Sequence, residues 1–376
     1  MTWSVPALVE DAVRAAAARV LPARLLGGPP LLDAVVDRSR RYTSERAALA
    51  SPTDAQADLA ARALFFTIAD AAKIRLPLRE LRRADRLGVD PHAPLRLVDV
   101  GAGCGAMSLG ALVELGRRGV GGGVDLTLID QDERALAIAA DALAVVARAL
   151  DVTLRLTVRA GDVRREPLPP CDLVLAGTVL NELDPAAALA LTRRAVASAA
   201  IAAILVEPAL RTTARALHQL RDAALAAQLA AVLAPCTHAQ PCPMLATERD
   251  WCHEARPHAL PPGAAALARA TGLRDGAMKF AYLVLGPPTV VPAVSTLRAV
   301  SEPMPHKGRH ELWVCDAAGH RKLRVLDRHR TAGAATFRAA VRGDVLTIAP
   351  APDPRGDVAG DAAVARATFS GDDDDA

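Results

Sequence analysis

An apolar run that breaks into a glycine-rich turn constrains this chain more than any other feature: Val98-Asp99-Val100-Gly101-Ala102-Gly103-Cys104-Gly105, followed by a helical pattern from about Ala106. Glycine is needed where backbone takes positive φ and where a ligand must come close to the main chain. A helix starting directly after such a turn offers unbonded N–H groups to polar ligand atoms. Alone the pattern is a weak signal, and its surroundings strengthen it. Short apolar runs recur at Val124–Ile129, Leu154–Val158, Leu173–Ala176, Ala203–Val206 and Ala281–Leu285, separated by helical stretches. Strands alternating with helices predict a parallel α/β sheet covered on both faces. The runs end in Asp130-Gln131-Asp132, in Gly161-Asp162 and in Gly177-Thr178-Val179-Leu180-Asn181-Glu182. All of these fall at carboxyl ends of parallel strands, where open α/β sheets bind ligands.

This series resembles the class I S-adenosylmethionine-dependent methyltransferases, a Rossmann-like α/β fold. The resemblance implies that Gly101, Gly103 and Gly105 pass beneath the methionine part of the cofactor. It also implies that Asp130 holds the ribose and that Asp162 lies beside the adenine amine. Asn181 is a further candidate at the cofactor or its substrate, the plainer reading being a helix-capping Asn beside Glu182. An NAD site is disfavoured because the third glycine of the dinucleotide fingerprint is out of place. The Asn/Asp-Pro-Pro-aromatic signature of amino methyltransferases is missing, since the position reads Leu180-Asn181-Glu182-Leu183-Asp184-Pro185. No catalytic residue is assigned, and whether the chain is an enzyme stays open.

Composition serves mainly to exclude. The chain has 376 residues, 51% of them hydrophobic, so it can bury a large core. No segment approaches the ~20 apolar residues that span a bilayer. The start, Met1-Thr2-Trp3-Ser4, lacks the regions of a signal peptide. The expected setting is a reducing cytoplasm, with neither a membrane nor a disulfide-linked partner. There, six cysteines point to metal ligands or buried thiols. Cys104 and Cys171 read as small buried residues.

The other four stand apart. Cys236, Cys242 and Cys252 follow a C-x5-C-x9-C spacing on Pro-rich backbone, and Cys315 follows after a gap of 62 residues. Coordination lowers a thiol's pKa enough to supply the thiolate a metal needs. The spacing lacks the paired knuckles of structural zinc, and an iron–sulfur cluster can take ligands from separate loops. Spacing alone leaves an iron–sulfur cluster, a zinc site and unliganded thiols all open. His238, His253 and His258 keep a mixed Cys/His zinc site among them.

Several motifs taken together are similar to those of the methyltransferase-like assembly factors of the mitochondrial small ribosomal subunit and their bacterial relatives. They are the glycine turn, Leu173-Val174-Leu175 leading to Leu180-Asn181-Glu182-Leu183, Leu205-Val206-Glu207-Pro208, Ala234-Pro235-Cys236, Cys242-Pro243, Asp250-Trp251-Cys252-His253, Phe280-Ala281-Tyr282-Leu283-Val284 and Cys315. The similarity spans roughly residues 35 to 346. It implies a 4Fe-4S cluster on Cys236, Cys242, Cys252 and Cys315, with the small ribosomal subunit and its rRNA as partner. The chain departs from the family pattern in a longer gap between its second and third cysteines, and in Glu254, which stands where an aromatic is expected. Two rival readings remain: an active rRNA methyltransferase with a structural cluster, and a small-molecule methyltransferase with a structural zinc. A radical S-adenosylmethionine enzyme is set aside, because four thiolates leave no open iron.

The expected organisation has four parts. Residues 1–90 form a helical N-terminal region, in which Pro29-Pro30 ends the first segment and Ser51-Pro52-Thr53-Asp54 starts the next. Residues 91–286 form the methyltransferase-like domain, with a Cys-rich loop at 234–258. Residues 287–350 form a small basic β region that completes the metal site, and 351–376 a disordered acidic tail. Between Pro305 and Val345 nine Lys/Arg stand against four Asp/Glu. Lys307, Arg309, Arg321, Lys322, Arg324, Arg328, Arg330, Arg338 and Arg342 are therefore candidates for contacting rRNA phosphates.

Overall fold

The structure is a computed structural model that describes residues 2–45, 53–87, 92–117, 119, 121–273, 276–289 and 296–369. The chain opens with β1 (Trp3–Ser4), α1 (Ala7–Val20) and α2 (Gly28–Thr43). Helical residues then continue through α3 (Ala55–Ala61), a π-helical segment (Arg62–Thr67), α4 (Ile68–Asp70), a 3-10 segment (Ala71–Ile74) and α5 (Arg75–Arg83). Asp54 starts α3 as expected, its carboxylate accepting from the N–H groups of Gln56 and Ala57. The expectation at Pro29-Pro30 is overturned. Both prolines lie in the first turn of α2, where a missing N–H costs nothing, and α1 has already ended at Val20.

The central layer follows as β2 (Leu95–Val100), α6 (Ala106–Gly116), β3 (Val124–Asp130), α7 (Glu133–Ala149), β4 (Leu154–Ala160), β5 (Cys171–Gly177), α8 (Pro185–Ser198), β6 (Ala199–Pro208) and α9 (Arg211–Ala226). Then come β7 (Ala231–Ala234), β8 (Glu254–Ala259), α10 (Pro262–Thr271) and β9 (Ala277–Gly286). Strands β4, β3, β2, β5 and β6 lie side by side in that order and all run parallel. This is the doubly wound order, with its switch point between β2 and β5. The antiparallel β9 lies against β6 and turns the sheet into the mixed sheet of class I methyltransferases. One apolar core fills the space between the sheet and the helices α1, α3, α5, α6 and α7, and a second lies under α8 and α9. The N-terminal helices press closely on the sheet side: a Cβ on Gly110 of α6 would lie 1.7 Å from the carbonyl oxygen of Ala71.

Both β7 and β8 pair antiparallel with the same edge of β9. Ala231 lies opposite Gly286 and Ala234 opposite Val284, then Glu254 opposite Phe280 and Pro257 opposite Ala277. They are two halves of one strand position, and residues 235–253 loop out between them.

The remaining strands form a second unit: β10 (Leu297–Ala299), β11 (Met304–His306), β12 (Arg309–Asp316) and β13 (Gly319–Leu326), then α11 (Ala332–Arg338), β14 (Val345–Ala349) and β15 (Ala363–Ala367). β12 and β13 form a hairpin with Ala317-Ala318 as its two-residue loop. β10 pairs with β12 and with β14, β14 pairs with β15, and a parallel bridge between Arg324 and Asp357 links β13 to the approach to β15. A meander, a helix and a returning hairpin wound this way make a small Greek-key barrel of the OB type. Its interior holds Leu312, Val314, Leu323, Val325, Phe337 and Leu346. The expected disordered tail is therefore corrected. Residues 351–367 belong to the barrel, with Val358 and Ala362 in its core, and Phe369 is buried in the core shared by the sheet and the N-terminal helices. The acidic run Asp372–Asp375 lies outside the described residues. No helix among the described residues is long and apolar enough to cross a membrane.

Candidate cofactor and metal sites

Three glycines make the turn after β2 possible. Gly101, Gly103 and Gly105 stand at φ of +68°, +52° and +86°, and Gly105 is the N-cap of α6. The N–H groups of Gly101 and Ala102 donate to the carbonyl of Ile129, which ties the turn to β3. Asp130, at the end of β3, accepts from the N–H of Gly103 (2.8 Å) and from that of Asp132 (2.9 Å). An ionised carboxylate has about four acceptor sites, so Asp130 keeps capacity for ribose hydroxyls. Asp162 lies just past the end of β4, one strand over, and its carboxylate is gripped by the side chain of Arg164. That hydrogen bond holds its pKa down at about 2.

Asp99 has a part that the sequence did not disclose. It is 1% exposed, and its carboxyl accepts from the hydroxyl (2.5 Å) and the N–H of Ser108, pinning α6 to β2. Burial outweighs those bonds and raises its pKa to about 7.

A cluster of charges from the N-terminal helices covers the turn, and no sequence motif announced it. Arg62 donates from Nη1 to Asp132 at 2.8 Å, and its Nη2 lies 3.2 Å from where a Cβ on Gly103 would stand. Arg38 and Arg41 both bind Asp58, and Arg38 also donates to the hydroxyl of Tyr42 at 2.7 Å. Glu182 faces this cluster. Burial raises its pKa, and Arg38 and Arg62 work against the rise.

Asn181 points elsewhere. The helix cap expected of Asn181 is instead Asp184, which accepts from the N–H of Ala187, while Leu180–Glu182 form a 3-10 turn. Asn181 lines a cleft of about 380 Å³ between α8 and α9, beside Glu207. The buried Glu207 accepts from the N–H of Leu180, and burial raises its pKa to about 7. The structure thus gathers Gly101, Gly103, Gly105 and Asp130, sets Asp162 on the adjacent strand end, and places Asn181 in the neighbouring cleft.

The four cysteines singled out by spacing come together. Cys236, Cys242, Cys252 and Cys315 all line one cavity, with His218, His238 and His253 at its wall. Three come from the loop between β7 and β8, and Cys315 from β12 of the barrel. The cavity opens beside Ala281, Tyr282 and Leu283, the stretch of β9 that neither half-strand covers. Burial, followed by the neighbouring cysteines, raises the thiols of Cys242 and Cys315 to about 11 and 12, and it raises that of Cys252 well above the usual thiol range. His238 Nε2 lies 3.4 Å from Cys315 Sγ. Among the described residues no three His, Cys, Asp or Glu side chains converge closely enough to hold a single metal ion. Cys104 and Cys171 are buried elsewhere, as expected of small core residues.

One face of α9 braces the loop. Arg215 Nη1 donates to the carbonyls of Met244, Thr247 and Asp250, and Arg221 donates to those of His238 (2.6 Å) and Gln240 (2.8 Å). Asp222 accepts from the N–H of Cys242. Arg221 is 1% exposed, so a full positive charge is buried against the cysteines. Arg298 joins the parts: it donates to the carbonyl of Pro235, to that of Gly343 and to both oxygens of Glu80.

The expected basic face is largely paired within the barrel. Arg309 and Lys322 bind Glu311, Arg321 binds Asp316, Arg324 binds Asp357 and Arg342 approaches Glu302. Arg338 donates to the carbonyls of Leu326 and His329. Lys307, Arg328 and Arg330 are exposed.

The family model described as mitochondrial small ribosomal subunit Rsm22 matches residues 61–346. Among solved structures the chain is similar to magnesium protoporphyrin IX methyltransferase from Synechocystis PCC 6803 with bound SAM. Identity is 11% over 68% of this chain and 97% of that one, with a TM-score of 0.36. It is also similar to the [4+2]-cyclase SpnF, at 16% identity over 56% and 80% of the two chains, TM-score 0.33. A third likeness is to CalS10, an amino pentose methyltransferase from Micromonospora echinaspora, at 16% over 69% and 74%, TM-score 0.26. These likenesses are distant, and the fold assignment rests on the strand order. No curated protein matches the chain.

Proposed function

The chain belongs to the Rsm22 family, described as mitochondrial small ribosomal subunit Rsm22, and on that premise we propose that it binds S-adenosylmethionine and a 4Fe-4S cluster and acts on the small ribosomal subunit or its rRNA in assembly or translation. One observation carries the reading: the family match, residues 61–346, takes in both the glycine turn and all four clustered cysteines.

Support for the cofactor comes from the turn. Gly101, Gly103 and Gly105 give the turn its three positive φ angles, and Asp130 borders it at the strand end. Gly101 and Gly103 would seat the amino-acid end, Asp130 the ribose and Asp162 the adenine. When bound, S-adenosylmethionine supplies an activated methyl group on a sulfonium. The reading is one of binding and assembly, and no side chain is given a catalytic step.

Support for the cluster comes from the donor set. Four cysteines from two separate parts of the fold border one cavity, and a cuboidal cluster bonds a different iron to each thiolate, so its ligands stand around a space. Arg221, buried at the cavity wall and paired with Asp222, brings a positive charge beside Cys236 and Cys242, which a thiolate-bonded cluster of net negative charge favours. When bound, such a cluster cross-links the loop to the barrel and can take up or release an electron. Cys236, Cys242, Cys252 and Cys315 would hold it, and Arg221 would offset its charge.

The test is purification of the tagged chain from anaerobic cells, with RNA sequencing and metal analysis of the same preparation. Enrichment of small-subunit rRNA, and iron with absorption near 400 nm, are expected. Absence of small-subunit particles would sink the ribosomal part of the reading. A colourless protein carrying zinc would sink the cluster.

A further inference from the structure

Arg62 reaches the glycine turn from outside the sheet. It begins the π-helical segment that interrupts the helical run from 55 to 83, and π-helical turns inside helices occur frequently at functional sites. The guanidinium is held from below. Asp132 uses Oδ1 to cap α7, accepting from the N–H groups of Arg134 and Ala135, and uses Oδ2 to accept Arg62 Nη1 at 2.8 Å. The other arm, Nη2, is left over the turn, 3.2 Å from the Cβ position of Gly103. A group crossing Gly103 must meet it.

The charges around this arm sort the ligand. Asp130, Asp132, Asp58 and Glu182 surround Arg62, while Arg38 and Arg41 are both committed to Asp58. An ammonium or a sulfonium is at home among those carboxylates, and a carboxylate is not. A carboxylate entering here needs a fixed positive charge with a donor left to give, and Nη2 of Arg62, whose Nη1 is held by Asp132, is such a donor. We infer that Arg62 is a carboxylate seat, which takes the α-carboxylate of an adenosyl amino acid lying across the glycine turn. The inference rests on the S-adenosylmethionine reading of that turn. It adds to it the residue that tells an amino-acid-bearing nucleoside from one lacking the carboxylate.

The experiment is calorimetric titration of the full chain, wild type and Arg62→Ala, with S-adenosylmethionine and with decarboxylated S-adenosylmethionine. Thermal melting of both proteins checks that the variant is folded, and Arg62→Lys serves as the conservative variant. The wild type is expected to prefer the carboxylated ligand by at least about tenfold, since a charge-assisted hydrogen bond is of that order. In Arg62→Ala the preference falls to near unity while affinity for the decarboxylated ligand changes less than about twofold, and Arg62→Lys keeps part of it. An Arg62→Ala protein with the full wild-type preference overturns the carboxylate seat and leaves the nucleoside reading standing. Wild-type protein that binds neither ligand overturns the nucleoside reading, and the seat with it.

Discussion

Gly101 shows how narrow the tolerance is at single residues. A Cβ there would lie 2.2 Å from Val179 Cγ2, and its φ of +68° disfavours any L side chain. The loop before α8 therefore closes onto the turn only because the position is glycine. Asp99 offers a sharper test, because its burial leaves a pH signature. Its folded pKa, about 7, lies above the unfolded 3.8, so the folded state holds the proton more tightly. Its contribution to stability is thus fully present below about pH 4 and is lost as pH rises through 7. Asp99→Asn should flatten that part of the profile, by up to about 4 kcal/mol on the usual scale of 1.4 kcal/mol per pKa unit. Urea midpoints at pH 5 and pH 8 for both proteins measure it. An unchanged difference between the two pH values would show that Asp99 is not the titrating group, leaving Glu207, also raised to about 7.

At the scale of elements, the loop between β7 and β8 owes its shape to α9 rather than to itself. A segment rich in proline and short of regular structure has many backbone carbonyls to satisfy, and Arg215 and Arg221 supply donors from one helix face. Arg215→Ala should free the second half of the loop, at a cost of about 1.5–3 kcal/mol for losing bonds to a charged donor. Hydrogen exchange should quicken across residues 244–250 and stay slow in β2, β5 and β6; uniform quickening would mean that Arg215 supports the whole fold instead. Elements also mark where periodicity failed as a guide. In the alanine-rich α1 helical spacing picks out Leu8, Ala12, Ala15, Ala16 and Val20, whereas Val9, Ala12, Val13, Ala16 and Ala17 are buried and Ala15 is exposed. With small apolar residues on every side of a helix, spacing cannot choose the face, and packing against α7 does.

The whole molecule is held together across its parts by buried charge. Arg298 of the barrel binds Glu80 of α5 with both arms, and Tyr282 of β9 donates to the same carboxylate at 2.5 Å. Removing one partner of such a pair strands the other. Arg298→Met should therefore cost about 3–5 kcal/mol in denaturant unfolding and, on the proposed cluster reading, should lower the iron content of purified protein by loosening Cys315 from the loop that starts at Pro235. Loss of an exposed pair such as Arg155–Asp125 should cost under about 1 kcal/mol. A similar cost for both would remove Arg298 from this role. The parallel strands, the glycine turn, Asp130 and the grouping of Cys236, Cys242 and Cys252 were legible in the chain, because short apolar runs, positive φ and cysteine spacing are local properties. The junction of Cys315 with that loop came only from the family resemblance, and the buried Arg221 and Arg62 above Gly103 were not legible at all. They depend on which surfaces meet, and that is decided by packing among segments distant in sequence. The same holds for residues 351–369: read alone they lack apolar periodicity, and only the strand β14 beside them makes β15 a strand.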